Sequence, residues 1–281
     1  MIKKIKIGGF EIKNDNKLFL IAGPCVIENR DHALHHAKMI KQICNEISID
    51  FVFKSSFDKA NRTDINSSRG VGFEKGVEIL NEIKNSLNIP VLTDIHESYQ
   101  CDLLKEVVDI IQIPAFLCRQ TDLLLNASKT GKIINIKKGQ FLAPWDMVNV
   151  VEKIKSTGNQ NIILTERGSS FGYNNLVFDL RSLIEMKKTG YPIVFDATHS
   201  VQRPGGLGNV SDGNREYIPY YSNAAVTAGI SGIFMEVHEN PDKAPSDGTN
   251  MIRLDKLKNI LKDILKIDQL IKDHSIGNYN E

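Results

Sequence analysis

Short apolar runs rich in β-branched residues recur at positions 18–22, 51–53, 90–92, 108–111, 133–136, 162–164, 193–195 and 232–235. Between several of them the apolar residues change to helical spacing, at 33–47, 76–87, 148–155, 176–187 and 254–271. Strands that alternate with helices pair in parallel, because each parallel crossover needs the length a helix provides. Eight such repeats in 281 residues predict a closed (β/α)8 TIM barrel. An open doubly wound sheet fits less well, since no GxGxxG follows the first strand. Ahead of the repeats, positions 3–7 and 10–13 flank Gly8-Gly9 and predict a β-hairpin. It reads either as a cap on the barrel floor or as a frayed extension. No linker or low-complexity tract interrupts the pattern, so residues 1–281 read as one barrel domain with a hairpin extension at 1–13.

Composition narrows the partners. Lysine plus arginine is 35 and aspartate plus glutamate is 34, a net charge of +1. No global field draws such a chain to nucleic acid or to a membrane, so neither is expected as a partner. The four cysteines, Cys25, Cys44, Cys101 and Cys118, show no CxxC spacing. Together with the absence of a signal-peptide pattern at the N-terminus, this predicts a reduced, cytoplasmic protein. Cys44, Cys101 and Cys118 read as packing residues.

Nearly every predicted strand ends in a polar cluster. In order these hold Cys25 and Glu28; Lys54, Ser55, Ser56, Lys59, Asn61 and Arg62; Thr93, Asp94 and His96; Gln112 and Arg119; Lys137, Lys138 and Gln140; Glu166 and Arg167; Asp196, His199 and Gln202; and Glu236 and His238, with Asp247 beyond. Barrel active sites lie at the C-terminal ends of the strands, so the clusters are expected to share one mouth. Seven cations, Lys54, Lys59, Arg62, Arg119, Lys137, Lys138 and Arg167, are placed there in a nearly neutral chain. Such a concentration suits a ligand set with two phosphates, or a phosphate and a carboxylate. Individual members read equally as structural ion pairs with Asp58, Glu166 or Asp196.

Cys25, His199, Glu236 and Asp247 are a second set, with donor types suited to a divalent transition metal. Spacing alone leaves this open. A lone cysteine is more often a small buried hydrophobe, and His199 alone reads as a general base or a satisfied core histidine. His32, His35 and His36 read as a solvated helix end, His96 and His238 as candidates for the mouth, and Gly205-Gly206-Leu207-Gly208 as a lid after the seventh strand.

Several long motifs carry a resemblance. Ile21-Ala22-Gly23-Pro24-Cys25-Val26-Ile27-Glu28 resembles the opening motif of the phosphoenolpyruvate-dependent aldolase-like synthases. Phe53-Lys54-Ser55-Ser56-Phe57-Asp58-Lys59-Ala60-Asn61-Arg62-Thr63 is similar to the signature of the 3-deoxy-D-manno-octulosonate 8-phosphate synthases. Ile111-Gln112-Ile113-Pro114-Ala115-Phe116-Leu117-Cys118-Arg119-Gln120 and Asp196-Ala197-Thr198-His199-Ser200-Val201-Gln202 match as well. The resemblance implies a transferase that condenses phosphoenolpyruvate, D-arabinose 5-phosphate and water for lipopolysaccharide sugar biosynthesis. Lys59-Ala60-Asn61-Arg62, where the related heptulosonate synthases carry Lys-Pro-Arg-Thr, implies arabinose 5-phosphate rather than erythrose 4-phosphate. Cys25 marks the metal-dependent class, which implies a Zn, Fe or Mn ion held by Cys25, His199, Glu236 and Asp247.

The family's roles fall on matching residues. Lys137, Arg167 and the Ala115 backbone would hold the phosphoenolpyruvate phosphate, and Lys54, Ser56 and Lys59 its carboxylate. Asn61, Arg62 and Thr63 would hold the sugar phosphate, with Asp94 and Gln112 orienting sugar and water. Arg119 would reach in from a neighbouring subunit of a homotetramer. Asp64, beside the expected sugar phosphate, is a charge conflict within this scheme.

Overall fold

The computed structural model describes residues 2–205 and 212–274. Eight parallel strands, β1 (Phe19–Gly23), β2 (Asp50–Lys54), β3 (Val91–Asp94), β4 (Ile110–Ile113), β5 (Ile133–Lys137), β6 (Ile162–Glu166), β7 (Ile193–Asp196) and β8 (Gly232–His238), pair in chain order. The ring closes where β8 pairs with β1, Phe19 opposite Gly232, and with β7, Val194 opposite Gly232. The helices α1 (Arg30–Glu46), α2 (Phe73–Leu87), α3 (Gln100–Leu104), α4 (Thr121–Lys129), α5 (Met147–Lys155), α6 (Leu180–Lys187), α7 (Ile218–Val226) and α8 (Leu254–Asp273) follow the strands one for one. This is the (β/α)8 barrel the strand count predicts.

Two apolar layers result from the two faces of each strand. Alternate residues point outward and pack with the helices, as Leu20, Phe53, Ile134 and Leu164 do. The other set points inward: Phe19, Ile21, Val52, Leu92, Ile110, Ile133, Ile163, Val194 and Phe234 form one buried cluster. Three hairpin residues, Ile5, Ile7 and Ile12, complete it. The hairpin pairs Ile5 with Ile12 and turns at Gly8, whose φ of +52° suits a residue without Cβ. It therefore plugs the barrel floor and is no frayed extension. Buried Asn14 fastens its exit, donating to the Tyr191 carbonyl at 3.0 Å and accepting from the Ile193 amide at 2.9 Å.

Helix bounds lie within about three residues of the sequence reading except at the start of α6. The pattern starting at 176 begins as a short strand, Leu176–Val177, paired with Ser169–Ser170. Asp179 then accepts from the Arg181 amide and opens α6 at Leu180. A cap interrupts a run that periodicity alone joined. Helices α4 and α7 lie in stretches to which no helix was assigned; Pro219 in the first turn and the paired tyrosines of α7 obscure its period. Gly206–Gly208 of the expected lid lie outside the described residues.

Candidate active site

Inward positions change chemistry along the strands. Two residues beyond the apolar floor, the same faces carry Lys54 on β2, Asp94 on β3, Gln112 on β4, Asp196 on β7 and Glu236 on β8. On β5 the succession is Ile133, Asn135, Lys137, and on β6 it runs from Ile163 through Thr165 to Arg167 just past the strand end. Of these, Lys54, Asp94, Gln112, Lys137, Arg167 and Glu236 face a cavity of about 700 Å³, while Asn135, Thr165 and Asp196 are fully buried outside its lining. Its lining includes Lys54, Ser56, Lys59, Asn61, Arg62, Thr63, Asp94, Gln112, Ala115, Lys137, Arg167, His199, Glu236 and Asp247. Cys25 is buried beneath it, its Sγ 3.1 Å from Asp247 Oδ2. Gly23 makes the close approach possible: a Cβ there would stand 1.9 Å from the Lys54 carbonyl oxygen.

Two of the seven expected cations do not join the cavity. Lys138 follows the inward Lys137 and so points to the other face. There it is fully buried, donating to the Gly139 and Leu142 carbonyls at 3.2 Å each, with Glu166 3.6 Å away. Arg119 is exposed outside the cavity. The remaining five, Lys54, Lys59, Arg62, Lys137 and Arg167, do converge. Glu28 and His238 are also absent from the lining; they pair with each other at 2.8 Å. Asp64 is turned away, accepting from the Asn66 amide at 2.9 Å, which removes the expected conflict with a bound anion.

The buried charges hold one another. Burial opposes ionisation of Asp196, yet His199 and Lys137 keep its carboxyl far below the usual range. Burial likewise works against Glu236, and Lys54, His199 and Lys59 reverse it. Lys54 donates to Glu236 Oε1 at 2.9 Å and to the Cys25 carbonyl at 3.0 Å, leaving one of three N–H groups for a ligand. Asp94 accepts from Ser56 and lies 3.0 Å from His96 Nε2. Burial, then the Glu236 charge, pushes the Cys25 thiol well up.

Not every group is satisfied. Arg167 gives one guanidinium nitrogen to Gln202 at 3.0 Å, while its Nε and other terminal nitrogen are buried without a partner. Glu236 Oε2 is similarly orphaned. Unpaired buried donors on a guanidinium are costly, and a phosphate or carboxylate would satisfy them. Asp196 accepts from His199 Nδ1 at 2.7 Å and so turns Nε2 toward Glu236 Oε2, 3.7 Å away. Gln202 links Arg167 to Asp247, donating to Oδ1 at 2.7 Å. Asp196 and Gln202 appeared in the sequence only as strand-end polar residues; their offsets of three residues either side of His199 were the available signal.

Comparison with known proteins places this cavity in a family. The model of the DAHP synthetase I family matches residues 3–273. The chain belongs to that family. It is 57% identical over 272 residues to the 2-dehydro-3-deoxyphosphooctonate aldolase of Geotalea daltonii, covering 97% of this chain and 100% of the relative. The protein of the same name from Rickettsia typhi is 56% identical over 273 residues, again 97% and 100%. That from Cyanothece sp. is 61% identical over 248 residues, 88% of this chain and 91% of the relative. Family membership at this identity agrees with the barrel, the long strand-end motifs and the cationic mouth.

Proposed function

We propose that the cavity condenses phosphoenolpyruvate with D-arabinose 5-phosphate and water, giving 3-deoxy-D-manno-octulosonate 8-phosphate and phosphate for lipopolysaccharide sugar biosynthesis. The observation that carries this is the convergence of five cations, one with two unpaired buried nitrogens, in a cavity of about 700 Å³. The printed name of the relatives selects the octulosonate reaction from its heptulosonate counterpart.

Carbon 3 of phosphoenolpyruvate bonds to the aldehyde carbon, water adds at carbon 2, and phosphate leaves by C–O cleavage. The enol phosphate is a weak nucleophile, so orientation and electrostatics supply most of the rate. Arg167 and Lys137, with the Ala115 backbone, hold the phosphate. Lys54, Ser56 and Lys59 hold the carboxylate. Asn61, Arg62 and Thr63 grip the sugar phosphate from the rim, with the Arg62 guanidinium braced by the Ser68 carbonyl at 2.9 Å and Ser246 Oγ at 2.8 Å. Asp94 and Gln112 orient the sugar and water; the Gln112 carbonyl is fixed by Asn135 at 3.0 Å.

Three of the four expected donors come together as a divalent metal ion would need, with His199 outside that group. Ligand atoms of Cys25, Glu236 and Asp247 lie within 4.8 Å of one another. His199 Nε2 faces the orphaned Glu236 Oε2, and a buried thiol pushed this high becomes a thiolate only beside a cation. Cys25, His199, Glu236 and Asp247 would hold Zn²⁺, Fe²⁺ or Mn²⁺. Held by these residues, such an ion would supply Lewis-acid polarisation and orientation of a bound reactant. The reading extends to a cytoplasmic homotetramer; no helix among the described residues is long and apolar enough to cross a membrane. Exposed Phe116, Phe141, Trp145, Phe171 and Tyr173 follow three adjacent strands, β4 to β6. Exposed aromatics on three neighbouring loops favour self-association, which would carry Arg119 to a neighbouring cavity.

Phosphate release from phosphoenolpyruvate, assayed with arabinose 5-phosphate and with erythrose 4-phosphate, tests the proposal. Turnover at least tenfold faster with the pentose is expected. Equal or faster turnover with the tetrose assigns the cavity to heptulosonate synthesis. Activity that survives verified metal removal refutes the catalytic ion.

A further inference from the structure

Helix α1 starts with His32 and His36 one turn apart, on the face that meets the end of β8. The expected solvated helix end describes only His35, which is exposed. The His32 side chain is 10% exposed and His36 fully buried. The rings of His32 and His36 lie 4.2 Å apart, and His238 from β8 is 4.9 Å from the first and 5.4 Å from the second. Glu239, half-exposed, closes the group toward solvent.

Proton counting shows a defect. His36 Nδ1 lies 2.9 Å from the His32 carbonyl, which accepts only, so Nδ1 carries the hydrogen. The neutral ring then offers a lone pair at Nε2. That lone pair accepts from the Glu239 amide at 3.2 Å, yet it also stands 2.5 Å from Glu239 Oε2, an acceptor against an acceptor. His32 Nε2 lies 3.1 Å from His238 Nε2 and 3.4 Å from the same Glu239 oxygen, while its Nδ1 is buried without a partner. The side chains of His36 and Glu239 then meet without a shared proton.

A cation would join them. We propose a second divalent metal site, held by His32, His36, His238 and Glu239, with Zn²⁺ as the best-fitting ion. Ligand atoms about 2.1 Å from a shared tetrahedral ion stand about 3.4 Å from one another. The separations of 3.1 and 3.4 Å match; the 2.5 Å contact must open by under about 1 Å. The four ligand atoms already lie within 4.8 Å of each other. Two histidines at i and i+4 on one helix face are a metal-binding arrangement in their own right. Three imidazoles and a carboxylate favour zinc and its late transition-metal neighbours over magnesium or calcium. His238 joins through Nε2 at the loss of two hydrogen bonds, from the Asn240 amide to its Nδ1 at 2.9 Å and from its Nε2 to Glu28 Oε1 at 2.8 Å. Glu28, 2.8 Å from His238 Nε2 and 3.6 Å from His32 Nε2, adds negative charge beside the ion. The site shares no residue with the Cys25 set. It clasps the last strand to the first helix, across the seam where the barrel closes.

The test counts zinc on the full chain after dialysis against Zn²⁺ and removal of the excess. Four proteins are compared: the parent, His32→Asn/Glu239→Gln, Cys25→Ala/Asp247→Ala, and all four changes combined. The rim pair should lower the count by one ion in both backgrounds, whatever the mouth binds. With Co²⁺, the mouth pair should keep tetrahedral ligand-field absorption while losing any thiolate charge-transfer band. Zinc should also raise the melting temperature of the mouth pair and not of the combined variant. Glu239→Gln alone, at a half-exposed side chain, provides a folded control and should weaken zinc binding at least tenfold. Equal zinc counts with and without the rim substitutions would overturn the site and leave a metal-free histidine cluster.

Discussion

At the floor of the barrel the inward positions are Phe19, Val52, Leu92, Ile110, Ile133, Ile163, Val194 and Phe234, sealed by Ile5, Ile7 and Ile12 of the hairpin. Two residues along the same strands the inward positions are Lys54, Asp94, Gln112, Asn135, Thr165, Asp196 and Glu236. Both layers are buried, yet they serve opposite ends. The floor gains free energy from every apolar side chain removed from water, roughly 1.5–3 kcal/mol for an isoleucine. The mouth keeps charges in a dry place, held by their neighbours and incompletely satisfied. The contrast teaches that one strand geometry supports both stability and reactivity when the two are separated along its length. Substitutions at the mouth should then cost activity, and substitutions at the floor should cost stability.

The largest effect is expected at Arg167. Its side chain is 5% exposed and two of its nitrogens have no partner. Arg167→Ala should lose about 2–5 kcal/mol of interaction with a bound phosphate. That is roughly a 30- to 5,000-fold fall in kcat/KM, measured by steady-state phosphate release. The melting temperature should hold or rise, because removing an underpaired buried charge relieves the folded state. A variant that melts early with normal kcat/KM would erase the distinction between the layers.

The reverse experiment is Ile7→Ala. Ile7 is fully buried in the floor cluster, and its loss leaves a cavity between the hairpin and the strands. A cost of about 2–4 kcal/mol is expected in equilibrium denaturation. The KM for phosphoenolpyruvate should stay within about twofold, since that cost falls on folding and leaves the mouth contacts in place. A selective rise in KM would show that the plug transmits strain to the mouth.

The eight strand runs, the hairpin and the converging cations were legible because each is written in local periodicity or in residue type. What was not legible depended on which face a residue takes. Lys137 and Lys138 are equivalent in composition, but a period of two sends one to the cavity and the other to Glu166. The start of α6 turned on the Asp179 cap inside a continuous apolar pattern. The histidines of α1 read as solvated because β8, more than 200 residues later in the chain, supplies the surface that buries them. The five cations that do line the cavity were found by strand position, and their contacts with Glu236, Asp196 and Gln202 required the closed barrel.

The smallest effect marks where the mouth stops. Asp64 sits one residue beyond Thr63, which lines the cavity, and from sequence it appeared to oppose a bound phosphate. Its carboxylate instead accepts from the Asn66 amide at 2.9 Å and the Asn66 side chain at 3.2 Å, a local turn outside the lining. Asp64→Asn keeps an oxygen able to accept the first of these and removes the charge. Across about 10 Å of water a carboxylate opposes a phosphate of nearly two charges by about 0.8 kcal/mol before screening by salt. The KM for arabinose 5-phosphate should therefore fall by less than about fourfold at low salt, and by nothing measurable at high salt. A tenfold fall would place Asp64 against the sugar phosphate and extend the charged layer past the Asn61–Thr63 rim.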